Sequence, residues 1–275
     1  MNRTIRWLMV TLLMAGAVWL LAVRGEAGGD KGPWQPLLPK DVYEELAKRE
    51  AETIKTALDN PTDESLARAK LGAALIAALT LSGTDKGSAE DLSGVRERAI
   101  RLAQALTKST IPQAKMLAGD LLKQKPDLTK KLSIPWDTLL TSAELMDHLR
   151  PKAKGGDGMH PDLQSNVKLK GALNGIEEKV RALGMKELNE TGMKKEAKEM
   201  ELMAYRIAVV GALTYNFAPP KAGKKDPVLW REYSLKMRDG GVELAAAAQK
   251  GDTAAVLKSS SNLYSSCTQC HGVFK

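Results

Sequence analysis

The feature that most constrains this fold is a five-residue run near the C-terminal end, Cys267-Thr268-Gln269-Cys270-His271. On a helix, side chains three and four positions apart share a face, so the two thiols and the imidazole project from one side. A C-x-x-C-H run is the attachment signature of c-type haem. The two thiols form thioethers with the two vinyl groups of one haem, and the imidazole ligates its iron. Cys267 and Cys270 are the only cysteines in the chain, so this assignment leaves no thiol over. Four residues follow His271, so whatever covers the far face of the iron is expected from an earlier helix.

Two other chemistries use the same residues. A C-x-x-C pair in an exported protein also serves as a redox disulfide, with His271 incidental. That reading wants a thioredoxin-like strand-then-helix setting, which the sequence lacks. A zinc site wants about four ligands. The two remaining histidines, His148 and His160, have no ligand spacing with the C-terminal trio.

Covalent haem of this kind is installed outside the cytoplasm, and the front of the chain agrees. Arg3 and Arg6 form a short basic region, and residues 7–23 are an uncharged, mostly apolar run of seventeen. Residues 1–27 read either as a secretory signal cut after Ala27 or as an uncleaved membrane anchor at the lower limit of spanning length. Both put the remainder in a periplasmic or otherwise exported space. Residues 28–40, rich in Gly and Pro, read as a tether. The formal net charge of +8 falls by about two if the segment with Arg3, Arg6, Arg24 and Glu26 is removed. Lys and Glu alternate along helical faces without an aromatic-flanked basic stripe, so a nucleic-acid partner is not expected. The positive balance suits an acidic redox partner protein.

The chain is rich in Ala, Leu, Lys and Glu, holds only two Phe, and shows little β-branched alternation. That composition specifies an all-α fold. Residues 41–150 and 159–275 form two helical groups, joined by a Gly-rich linker at 151–158. In the first, helices are expected over 41–60, then from a cap at Thr62 or Asp63 through Leu66, Leu71, Leu75, Ile76 and Leu79. Further helices are expected over 89–107, from Pro112 to before Pro126, and over 136–149. In the second, helices are expected over 163–188, 194–217 and 228–249, the last weakened at Gly240-Gly241. Gly251 then ends a helix and Asp252 caps the one that carries the cysteines. Residues 71–80 resemble 203–214, which leaves an internal duplication open. The first group has no Cys and only His148, so it lacks a covalent haem site.

A C-x-x-C-H in the last turns of the last helix of a four-helix unit resembles the cytochrome c-prime family. The likeness rests on Cys267, Cys270 and His271, on the approach 257–267, and on Phe274 and Lys275, where that family usually carries an aromatic and a basic residue. It covers about the last 110 residues and is weak over the first half. The resemblance implies a C-terminal four-helix bundle around one haem c, preceded by a haemless helical bundle. It also implies that the bundle's first helix covers the distal face, where family members place either an apolar residue or Met. Here the comparable stretch is 167–174, so Leu173 or Leu169 would cap the iron, with Asn174 a polar neighbour. Met185 and His160 lead the candidates for a protein-supplied sixth ligand. Homodimers are common in the family, although no residue here argues for one.

The expected function is one-electron transfer by a single covalent haem. An open distal site would instead make the haem a module that binds or senses NO or CO. A third reading makes it an accessory part of a larger redox complex, with the first half as docking surface. No nucleophile with its base, phosphate loop or paired acid site marks an enzyme.

Overall fold

In the computed structural model, which describes residues 33–34, 38–82, 92–123, 134–147, 149 and 175–274, the apolar periodicity becomes ten α-helices. These are α1 (Lys40–Asp59), α2 (Asp63–Ser82), α3 (Ser93–Thr107), α4 (Ile111–Gly119), α5 (Trp136–Leu139) and α6 (Ser142–Asp147). They continue with α7 (Ile176–Met185), α8 (Glu190–Thr214), α9 (Pro227–Lys250) and α10 (Thr253–Phe274). The described residues hold no extended strand, and Ala222 pairs with Lys225 in an isolated β-bridge. The fold is all-α.

Local chemistry sets the helix ends. Thr62 and Ser65 exchange hydrogen bonds at the start of α2: the Thr62 N–H donates to Ser65 Oγ at 2.8 Å and the Ser65 N–H to Thr62 Oγ1 at 3.1 Å. Asn189 caps α8, its Oδ1 accepting from the Gly192 N–H at 2.7 Å. Gly251, at φ 65°, takes the left-handed conformation that stops α9. The Asp252 Oδ1 then accepts from the Ala255 N–H at 2.9 Å and starts α10 back along α9. Two expectations change. Residues 136–149 do not form one helix, because Leu140 is extended (φ −145°, ψ 158°) between α5 and α6. Gly240-Gly241 does not weaken α9, which runs unbroken through both.

Helix α1 buries one stripe, Val42, Leu46, Ile54 and Leu58, and leaves its other face wet. Helices α2 and α8 are different: every residue of 71–80 is buried, as is every residue of 203–214 except Arg206. A helix apolar all round belongs inside a core. Accordingly α2 packs on α1, α3 and, across the two groups, on α8. This explains why Asp63–Ser82 is long and apolar enough to cross a membrane and yet is mostly covered by its own chain. In the C-terminal group α8 packs on α9, α9 on α10, and α10 on α7.

Apolar residues of both groups belong to one continuous core. Charged pairs bind α1 to α8 alongside it. Both Arg49 terminal nitrogens reach Glu199, at 2.8 and 2.9 Å, and Arg206 Nη2 meets the buried Glu50 at 2.7 Å. The linker read at 151–158 and the segment 1–27 lie outside the described residues. The end of the stretch read as a tether is packed: Leu38 is buried and Trp34 stacks on Trp136 at 5.9 Å between centroids.

Helices α8 and α9 approach so closely that only hydrogen fits between them. A Cβ on Gly211 would lie 2.5 Å from the Arg238 backbone nitrogen, and one on Gly241 would lie 2.7 Å from the Ala204 carbonyl oxygen. Gly211→Ala should therefore cost about 2 kcal/mol through overpacking, outweighing the roughly 1 kcal/mol that alanine gains in helix propensity. A Cβ on Gly119 would meet no atom within 4 Å. Gly119→Ala should be neutral or stabilising by up to about 1 kcal/mol. Urea unfolding of the two variants checks the opposite signs.

Candidate functional site

The face of α10 that carries the cysteines and histidine opens onto a cavity of about 300 Å³, within the roughly 300–1,000 Å³ typical of small-molecule and cofactor sites. Cys267, Cys270, His271 and Phe274 all line it. Its walls are mainly apolar: Ile176 and Val180 from α7, Ile207 from α8, Trp230 and Met237 from α9, and Leu263 from α10. Met146 of α6 and the following Leu149 also line it, so the N-terminal group contributes to the site.

Two contacts fix the mouth. His271 Nδ1 faces Glu177 Oε1 at 3.6 Å, with each side chain 30% exposed. Phe274 meets the ring of Trp230 edge-on, at 5.0 Å between centroids and 85° between planes. Trp230 is held in turn, its indole N–H donating to the Thr214 carbonyl at 2.8 Å. Burial pushes the Cys267 thiol up to about 12, with the Glu177 carboxylate and Cys270 adding to the effect. Burial likewise raises Cys270 to about 11. Both therefore stay protonated near neutral pH in the folded chain, the opposite of the depressed values that mark redox-active thiols. No disulfide links them.

The residues present fit a covalent haem. Two thiols and one imidazole share one edge of one cavity, and the rest of the wall is a low-polarity cradle. Among the described residues no three His, Cys, Asp or Glu side chains are gathered to hold a bare metal ion. The donor set matches a group that brings most of its own iron ligands.

Of the residues singled out by sequence, Cys267, Cys270, His271 and Phe274 come together at the cavity. Leu173, Lys275, Leu169, Asn174, His148 and His160 lie outside the described residues. Met185 does not reach the site: it is 66% exposed at the end of α7. Met193, Met200 and Met203 are core residues. Sequence reasoning missed Glu177, Met237, Met146 and Leu149. Met237 stands one turn from Tyr233 and two from Trp230, a spacing that could have flagged a shared face. Nothing local distinguishes Glu177 from the other surface carboxylates of the chain. No family model, no curated protein and no solved structure matches this chain.

Proposed function

We propose that this protein is an exported c-type cytochrome that carries one haem c and transfers single electrons. The observation that carries the reading is the convergence of Cys267, Cys270 and His271 on one apolar cavity. The likeness of the C-terminal motif to the cytochrome c-prime family supports it. The bound group would supply an Fe(III)/Fe(II) couple. Cys267 and Cys270 would tie the group to α10, and His271 would give its Nε2 to the metal. Ile176, Val180, Ile207 and Leu263 give the cavity an apolar wall, and burial against such a wall is one of the levers that set a haem potential. An exported, oxidising compartment and an acidic redox partner complete the proposal.

One observation favours a second reading, the binding of CO or NO. Beyond His271, the described cavity wall offers the thioethers of Met146 and Met237 and the phenol of Tyr233 as side chains of types that ligate haem iron. If none of these occupies the sixth position, the distal side is open to a small gas. Optical spectra of the oxidised, reduced and CO-treated reduced protein separate the two. A low-spin spectrum unmoved by CO supports plain electron transfer with a protein sixth ligand. A high-spin spectrum that shifts on CO addition supports gas binding.

A further inference from the structure

We infer that Glu177 is the positioning carboxylate of His271, turning the Nδ1 side of the imidazole toward α7, presenting Nε2 to the iron, and lowering the midpoint potential of the haem. The inference rests on the haem reading above and deepens it. Glu177 Oε1 stands 3.6 Å from His271 Nδ1, and both side chains line the same cavity. At that distance the carboxylate faces the imidazole nitrogen just beyond hydrogen-bond range, and closing by about 0.7 Å makes it a hydrogen bond.

The backbone, more than a flexible side chain, sets this approach. Glu177 is the second residue of α7, and its N–H points to the Leu149 carbonyl at 3.4 Å. Near the other end of α7, Gly184 sits so close to α10 that a Cβ there would fall 2.8 Å from the Ser261 backbone. α7 is thus held at both ends while it runs beside the cysteine-bearing helix. The N-terminal group, through Leu149, takes part in holding the carboxylate.

The chemistry follows from general behaviour of metal-bound histidine. A carboxylate that accepts the Nδ1 proton fixes the tautomer and ring orientation and makes the ligating nitrogen more basic. A more basic imidazole and a nearby negative charge both favour Fe(III) over Fe(II), so the potential falls.

The test uses the full haem-loaded protein. Glu177→Gln keeps the shape and removes the charge, and Glu178→Gln removes an equal charge one residue further round the same helix. Haem content is read by pyridine haemochrome, folding by circular dichroism, and the midpoint potential by redox titration. The expected result is unchanged haem content and a roughly tenfold shift toward Fe(II) in Glu177→Gln, a rise of about 59 mV for one electron. Glu178→Gln should move the potential by clearly less. Equal shifts in the two variants, or none in Glu177→Gln, overturn the inference and leave the haem reading standing. Wild-type protein without covalent haem overturns both. Should Glu177→Gln fold poorly, Glu177→Ala is read by the same criteria.

Discussion

If the chain carries haem c as proposed, His271→Ala should retain covalently bound haem and lose its proximal ligand. The proposed thioethers at Cys267 and Cys270 would not involve the imidazole, so the haem should still survive denaturation on the chain. The absorption spectrum and potential should change together. Axial ligation spans about 0.8 V across haem proteins, so a shift on the order of 0.1 V or more is expected. Met185→Leu is the matched control. Its thioether is well exposed and away from the cavity, so spectrum and potential should be those of the parent. Redox titration of both variants measures the contrast. If His271→Ala leaves the spectrum unchanged, another side chain is the proximal ligand.

The second large effect is on stability. Glu50 lies 3% exposed on the buried stripe of α1 and faces Arg206 of α8 at 2.7 Å. Glu50→Ala deprives the mostly buried guanidinium of this carboxylate, and breaking one side of a buried pair costs about 3–5 kcal/mol. Replacing both residues by apolar ones of similar volume should restore most of that loss, because the desolvation of both charges disappears together. By comparison, Glu44→Ala removes a solvent-exposed partner of Lys40 and should change stability by less than about 1 kcal/mol. Urea melts of the three variants provide the measurement. Since Met146 and Leu149 of the N-terminal group line the cavity, Glu50→Ala should also perturb the spectrum of the proposed haem before unfolding is complete.

The helices were largely legible because their signals are local. The stripe of Val42, Leu46, Ile54 and Leu58, the Thr62 cap, and the Gly251-Asp252 turn each declare themselves within a few residues. The cysteine-histidine trio was legible for the same reason, since one helix holds all three donors. What stayed hidden depends on how helices meet. Glu177 becomes part of the site only because Gly184 lets α7 lie against α10 in one register. Met146 and Leu149 reach the cavity through a three-dimensional return of the N-terminal group that no periodicity records. The break at Leu140 was also missed, because the apolar spacing over 136–149 fits an uninterrupted helix. Gly240-Gly241 misled in the other direction. Their missing side chains serve close packing on α8 and α10, and that packing outweighs a weak intrinsic helix propensity.

The most direct test of the haem assignment is a pyridine haemochrome assay on denatured, acid-acetone-extracted protein produced where c-type haem is attached. The expected result is one haem retained per chain, with the spectrum of a haem whose vinyl groups are saturated, and its loss when Cys267 and Cys270 are both changed to Ser. A chain with no retained haem would contradict the assignment, and thiols that titrate only after reduction would return the cysteine pair to the disulfide reading.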